Sequence, residues 1–562
     1  MLLYKIICII NRGGIMNEKN LSNTPSGGKF EKISAFEPAT LVLGVILAVL
    51  SAIICMQIIG KVGVTPNTSL IGAIIAMVIA RIPLSVFKKF KSLERQNMVQ
   101  TIVSGAGFSA ANCGLLAVGI FIVLGKNEFI LPMAIGSIIG VSISIFVVGK
   151  IFDSEIFPAD EAWPPGVATA QALEAGDEGG TKGIKLLIGI VIGALCGLFK
   201  VPFGKVPFNI PAAGIGIVFI ANIFSMIGLG VGLLIRGYST VLFGGLELGK
   251  TSIPSGIMIG AGLMALIQSL IIILKDTKHK NKDTDVHTKI TVTKTEAKKT
   301  IVMGFFLYLA GAVVIAVISG IVTQMSIFML ILWVLWAAIS CTVAILIVGM
   351  AAMHSGWFPA FAITTIFMTI GIFLKFPLIS LALLTGYISS TGPCFADMGY
   401  DLKTGWIIRG RGKNVEHEKY GRKQQVIIEM IGGIIGIIVV LATLKMFVFG
   451  QETPLLAPVS KTFAEAISKA SDPQVLKALL LWAVPGAALQ LLGGPKRMVG
   501  VLFATGLLIN NPIYGIGVIA AVIVRLIFGN KVIEFIDAGL IAGDGLGGFV
   551  YALLVAIGIM SK

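Results

Sequence analysis

Long apolar runs dominate this sequence and leave it few ways to fold. Residues 40–60, 301–322 and 426–449 each reach the roughly 20 apolar residues that cross a bilayer as a helix. Only 13% of the residues are charged, about half the fraction found in soluble domains, and the mean hydropathy is +0.95. The sequence therefore predicts an all-α polytopic membrane protein with about 14–16 transmembrane helices.

Basic residues lie in clusters between the apolar runs. The net charge is +16, and Lys and Arg concentrate at 81–95, 275–299 and 403–423. The positive-inside rule makes such clusters cytoplasmic loops, so we expect no nucleic-acid partner. The expected organisation is a cytoplasmic segment 1–35, a first transmembrane repeat 36–275, a basic cytoplasmic linker 276–300 and a second transmembrane repeat 301–562.

The N-terminal apolar run lacks the small-residue cleavage site of a signal peptide. Arg12, Gly13 and Gly14 precede Met16. One hypothesis is that this stretch is a ribosome-binding site translated by mistake, which would make Met16 the true start.

The chain contains an internal repeat. Residues 41–66 align without a gap on residues 334–359. The same offset, with small shifts, produces further matches in one order: Pro165 with Pro458, Thr169 with Thr462, 209–219 with 510–520, and 253–270 with 536–553. These matches predict two homologous halves. The placement of the basic loops favours inverted repeats with broken or re-entrant helices, and in such proteins the substrate binds at the repeat interface.

Residues 161–180 combine two prolines, small residues and carboxylates between apolar runs. Pro164 and Pro165 cannot continue a helix but suit its first turn, so a helix should begin here. Its free amides would suit a carboxylate such as a peptide C-terminus. The alternative is a cytoplasmic loop with a solvated acidic helix. The candidate substrate-binding residues are Pro164, Pro165, Gly166, Thr169, Gln171, Glu174, Pro458 and Thr462.

Ionisable residues inside apolar runs are costly and are functional candidates. Asp537 and Asp544 lie in the last apolar run, where the first half has Pro254 and Ala261. A water-exposed loop end is the alternative for both. The candidate ion-coupling residues are Asp544, Asp537, Asp401, Asp397 and His354.

Four of the acids and bases in or beside apolar runs have simpler explanations beside the functional one. Asp397 and Asp401 could form a structural pair with Lys403 at a helix end, or a gate near the cytoplasmic mouth. His354 could titrate near neutrality or serve as a hydrogen-bonded helix end. Glu429 begins an apolar run, and we expect it to reach the polar edge of the membrane.

The segment 163-WPPGVATAQALEAG-176 resembles the signature of the oligopeptide transporter family, in particular the yellow-stripe-like branch, and indicates a prokaryotic member. Residues 95–107, 401-DLKTGW-406 and 539–548 also resemble family motifs. Asp544 departs from the family pattern, which often has Glu there, and so does the segment before Asp401. The resemblance implies about sixteen helical segments and cation-coupled uptake, usually proton-driven, of small peptides or metal chelates.

The predicted function is a secondary active transporter in the plasma or inner membrane. It would couple the uptake of small oligopeptides to a cation, with H⁺ expected, by alternating access. The alternatives are uptake of metal-chelate or siderophore-type complexes and, from another class, a gated channel. No Walker, GxSxG or HExxH motif is present, and the six cysteines have no metal-binding spacing. We therefore expect no enzyme, metal site or cofactor. The expected partners are the substrate and membrane lipid, and a homo-oligomer is left open.

Overall fold

The computed structural model describes most of the chain beyond residue 31. The described residues are 32–62, 68–83, 85–161, 163–178, 181–198, 201–203, 206–208, 211–279, 290–355, 358, 360–449, 451, 454–468, 473–494, 497–509, 511–529, 531–537, 539–540, 543–544, 547, 550–551 and 554. The expectations for Met16 and for the middle of the basic linker fall outside these residues.

The first part of the chain is helical, with one short hairpin. Its helices are α1 (Pro38–Val62), α2 (Thr68–Arg81), α3 (Leu93–Phe108), α4 (Leu116–Val123), α5 (Ile130–Ile151), α6 (Pro164–Glu178), α7 (Thr181–Leu198), α8 (Ala212–Ile220), α9 (Ile223–Gly237), α10 (Ser239–Leu242) and α11 (Ile253–His279). A π-helical segment, Ser109–Leu115, joins α3 to α4. Strands β1 (Val201–Phe203) and β2 (Val206–Phe208) pair in antiparallel fashion.

The second part of the chain is also helical. It contains α12 (Lys294–Ile318), α13 (Ile327–Ser355), α14 (Ala360–Phe373), α15 (Leu378–Ser389), α16 (Gly392–Ile408), α17 (Val415–Phe447), α18 (Pro458–Ser468), α19 (Pro473–Gly493), α20 (Val499–Leu508) and α21 (Pro512–Phe528). Further helical turns follow between residues 536 and 554. The first helix of the second part begins inside the predicted linker, because Thr293 and Glu296 cap each other at its N-terminus.

Seven helices among the described residues are long and apolar enough to cross a membrane. Eight shorter apolar helices of 10–17 residues accompany them. The prediction of an all-α polytopic membrane protein is confirmed. Because eight of these helices have only 10–17 residues, about half of the 14–16 segments expected from the sequence are shorter than a full span, which needs roughly 20 residues.

The helix order supports the predicted repeat. Two continuous spans, Leu93–Val123 and Leu378–Ile408, each contain 31 residues, and each follows one long span and one 14-residue helix. They are also the most buried of the seven spans, with 83% and 89% of their apolar window inside the molecule. Side chains that project from these two spans therefore lie deep in the protein.

Helices of the two parts pack on each other reciprocally. α6 packs on α16, and its repeat counterpart α18 packs on α4. α11 packs closely on α19, where Gly260 makes room for the carbonyl of Ala483. Similarly, Gly189 of α7 makes room for the carbonyl of Ile536. Such small-residue contacts let membrane helices approach closely.

Candidate functional site

The predicted helix break lies at Trp163–Pro164, and α6 begins at Pro164 as expected. Trp163 has a positive φ of 36° and is fully buried. Its backbone N–H donates to the carbonyl of Met353 at 2.8 Å, and its indole N–H donates to the carbonyl of Pro158 at 3.1 Å. This anchored residue fixes the direction in which α6 starts.

The start of α6 lies directly on α16. The Thr404 hydroxyl donates to the carbonyl of Gly166 at 3.0 Å. A Cβ atom on Gly166 would lie 2.5 Å from the carbonyl oxygen of Tyr400, so glycine permits this approach. The helix break is therefore held against the helix that carries Asp397 and Asp401.

Three carboxylates meet at this point in the core. Asp397 and Asp401 are one turn apart on α16, and Glu429 lies on α17. One carboxylate oxygen from each lies within 4.8 Å of the others. Their side chains are nearly inaccessible, with exposed fractions of 2%, 0% and 1%. We call Asp397, Asp401 and Glu429 the carboxylate cluster.

Hydroxyl groups on α2 and α3 hold Asp397. The Thr68 hydroxyl donates to Asp397 Oδ1 at 3.0 Å. The Ser104 hydroxyl lies 3.1 Å from Oδ1 and 3.2 Å from Oδ2. These bonds from two other helices fix the carboxylate between α16 and its neighbours.

Asp401 is held by a second pair of donors. The Ser69 hydroxyl donates to Asp401 Oδ1 at 2.5 Å, and the Gln100 amide donates to the same oxygen at 2.6 Å. Asn97 donates to Gln100 Oε1 at 2.9 Å and so orients that amide. The donors converge on one oxygen of Asp401 and leave the other without a bond.

Three oxygens of the carboxylate cluster accept no hydrogen bond from the described residues. They are Oδ2 of Asp401 and both carboxylate oxygens of Glu429. None of the ion pairs among the described residues involves the cluster, so no Lys, Arg or His nitrogen of the described side chains lies within 4.0 Å of its carboxylates. Buried acceptors without a donor are costly.

Gln425 connects the cluster to a buried ion pair. Its amide donates to the carbonyl of Asp401 at 2.9 Å and to the hydroxyl of Thr101 at 3.1 Å. Its amide oxygen accepts from Arg409 Nη1 at 2.8 Å. Arg409 in turn donates two bonds to Glu418, at 2.8 and 3.1 Å. The charge of Arg409 is thus matched by Glu418 and is not directed at the cluster.

The family model of the OPT oligopeptide transporter protein matches residues 38–235 and 220–555. The chain belongs to this family. No curated protein matches it. The chain is therefore a multi-pass membrane protein of a transporter family.

Two of the motifs that resemble the OPT family meet at the carboxylate cluster. Gln100 and Thr101 of the 95–107 segment bond to Asp401 and Gln425. The 401–406 segment supplies Asp401 itself and Lys403, whose Nζ donates to the carbonyls of Ala159 and Glu161. The predicted Asp–Lys pair is not among the contacts that the structure gives Lys403. Motifs far apart in the sequence thus meet at one place.

The predicted substrate-binding residues lie at the starts of α6 and α18. Thr169 donates to the carbonyl of Pro165 at 2.9 Å, and Thr462 donates to that of Pro458 at 3.5 Å. The two repeat counterparts thus make the same bond. Glu174 is half-buried on α6, whereas the side chain of Gln171 lies outside the described residues.

The remaining predicted ion-coupling residues lie on other elements. Asp544 is 3% exposed and accepts a bond from the Tyr514 hydroxyl at 3.1 Å. Asp537, at the end of the described stretch 531–537, is also buried. Both are buried, contrary to the exposed-loop alternative. His354 lies in the last turn of α13, and its side chain is outside the described residues.

Sequence reasoning missed Glu429 as a member of the site. We expected it to reach the membrane edge, but it is 1% exposed and lies in the middle of α17, which continues unbroken from Val415 to Phe447. The expectation was wrong because the polar residues before the apolar run form the first turns of α17. Glu429 therefore lies several turns inside this helix and not at its end. One signal was available: Glu429 is the single acid in the 426–449 run.

Proposed function

We propose that this OPT protein is a secondary active transporter that couples the uptake of small oligopeptides to the entry of a cation, with H⁺ as the expected ion. It would belong to the yellow-stripe-like branch as a prokaryotic member and act in the plasma or inner membrane. The observation that carries this proposal is the carboxylate cluster, three buried acids that lie beside the break before α6.

The energetics of buried acids support coupling to a cation. An ionised carboxylate in the membrane interior is costly unless a cation or a proton neutralises it. The three acids of the cluster lie close together, and no base among the described residues forms an ion pair with them. The protein should therefore be more stable when the cluster has taken up a proton or another cation. A bundle that exposed the cluster to one side of the membrane and then to the other would carry that charge across.

The starts of α6 and α18 are the proposed substrate site. Each is the N-terminus of a helix that begins at a proline, and such ends suit the carboxylate of a peptide. The bonds between Gly166 and Thr404 tie α6 to the helix of the cluster. A substrate bound at the start of α6 would thus act on the same helix pair as the cation.

Uptake by purified protein in lipid vesicles tests this proposal. Labelled di- to tetrapeptides should accumulate when an inward H⁺ gradient is imposed, and Asp401→Asn should abolish the accumulation. Glu128→Gln, which removes an exposed acid before α5, is the matched control and should transport normally. Inward flux without substrate, at channel conductance, would contradict the proposal in favour of a gated channel.

Competition identifies the substrate class. If peptides are the substrates, an unlabelled tripeptide should reduce the uptake of a labelled dipeptide, and a ferric-chelate complex should not. The reverse pattern would favour the metal-chelate or siderophore-type alternative.

A further inference from the structure

We infer that the carboxylate cluster is a binding site for a single hard metal cation of the size of Ca²⁺ or Na⁺. The inference deepens the proposed function, on which it rests for any link between the bound ion and transport. Binding itself does not depend on what the protein transports.

The atoms that the cluster offers select a hard cation. Asp397, Asp401 and Glu429 present carboxylate oxygens, and their neighbours Thr68, Ser69 and Ser104 present hydroxyls. Oxygen ligands of this kind suit Ca²⁺ and similar ions, whereas zinc and copper sites prefer sulfur or imidazole. The chemistry of the site is therefore that of a hard cation.

The spacing of the ligand atoms agrees with an ion of this size. Oxygens lie about 2.3–2.6 Å from a bound Ca²⁺, so two ligands on opposite sides of the ion are about 4.6–5.2 Å apart. No two of the three cluster oxygens are more than 4.8 Å apart. The three carboxylates are thus close enough together to share one ion.

The pattern of hydrogen bonds points separately to a ligand. Donors from α2 and α3 bind Asp397 and one oxygen of Asp401. Oδ2 of Asp401 and both oxygens of Glu429 accept no bond from the described residues although they are fully buried. These acceptors are the ones that a cation would satisfy.

The internal repeat shows that the fold itself does not require these acids. When the 31-residue spans Leu93–Val123 and Leu378–Ile408 are aligned from their first residues, Asn112, Leu116 and Ser144 stand opposite Asp397, Asp401 and Glu429. The offset that pairs residues 41–66 with 334–359 places Ser104, Phe108 and Gly136 there instead. The equivalent position in the first half thus has no carboxylate, so the negative charge belongs to one half only.

Direct binding to the purified full-length protein tests the inference. Calorimetric titration with CaCl₂ and, separately, with NaCl should show one saturable site per chain for at least one of the two salts. Asp401→Asn and Glu429→Gln should each weaken that binding by about tenfold or more, and Glu128→Gln should not. The monodisperse elution of each variant checks that it folds.

The outcomes separate this inference from the proposed function. No saturable site for either salt, or full binding in both cluster variants, would overturn the inference, whether or not H⁺-driven uptake occurs. Saturable binding that both variants lose supports it, even if the vesicles accumulate no peptide. The site then takes Na⁺ if NaCl alone saturates and Ca²⁺ if CaCl₂ does.

Discussion

The side chain of Glu429 lies over Gly105 of α3, where a Cβ atom would be 2.5 Å from the Glu429 Cγ. The absence of a side chain at residue 105 is therefore what lets Glu429 point towards Asp397 and Asp401. A glycine on one helix thus sets the position of a carboxylate 324 residues further along the chain.

Gly105→Ala should move Glu429 out of the carboxylate cluster. We expect cation binding to weaken about tenfold, because one of three ligands is displaced, and stability to fall by about 1–3 kcal/mol through overpacking. Calorimetric titration and thermal unfolding in detergent measure the two effects. In a Glu429→Ala background the same change should cost much less, and equal costs in both backgrounds would contradict the contact.

Arg409→Ala should be strongly destabilising. Its guanidinium is 4% exposed and pairs with Glu418, which is fully buried. Removal of one partner leaves the other buried and uncompensated, which costs about 3–5 kcal/mol. Thermal unfolding in detergent should show a large drop in Tm. Lys250→Ala, which breaks the exposed pair with Glu247, is the matched control and should change stability by less than about 1 kcal/mol.

Gly399→Ala should disturb the start of α6. A methyl group at residue 399 would overlap the indole ring of Trp163, which is fully buried and precedes Pro164. We expect a loss of about 1–3 kcal/mol in stability and weaker peptide binding, since α6 begins at this ring. A thermal-shift titration with a tripeptide measures both. Unchanged peptide affinity would separate the Trp163 anchor from the substrate site.

The parts of the site that local chemistry determines were accessible from the sequence. Pro164 and Pro165 have no backbone N–H to continue a helix, so the start of α6 could be predicted from two residues. Asp397 and Asp401 were candidates because ionisable residues beside an apolar run are costly, although the expected partner was Lys403. The contact of Glu429 with Gly105 could not be predicted, since nothing in either segment indicates the other.

The expected 14–16 segments agree with the seven long and eight shorter apolar helices of the described residues, but the lengths of these helices could not be predicted, for a related reason. An apolar run of 10–17 residues can be a short helix inside a bundle or the central part of a helix that spans the membrane. Composition does not distinguish the two. α9, α14 and α20 are such short helices. Their ends depend on packing against other helices, as where Gly506 of α20 makes room for the carbonyl of Leu229.

Asp153, at the end of α5, should make stability depend on pH. Burial raises its pKa above the usual value, although bonds from Thr291 and the charge of Arg422 oppose the shift. The folded state therefore binds a proton more tightly than the unfolded chain, so the free energy of unfolding falls as pH rises from about 4 through the raised pKa. Asp153→Asn should lack this fall, as measured by Tm between pH 4 and pH 7. Identical pH profiles for the two proteins would refute the assignment.

Asp544 gives a second acid whose role can be separated from that of the carboxylate cluster. It lies beside Gly193 of α7 and accepts a bond from Tyr514 on α21. We expect Asp544→Asn, like Glu174→Gln, to abolish cation-driven peptide uptake in vesicles while membrane insertion is unchanged. Tyr514→Phe keeps the carboxylate and removes one hydrogen bond, so it should reduce uptake only partly.

Normal uptake by Asp544→Asn would remove this residue from the coupling mechanism and leave the cluster as the remaining candidate. If Asp544→Asn abolishes uptake while the carboxylate cluster still binds its cation, binding and transport fail independently. Asp544 and the cluster would then act at different steps.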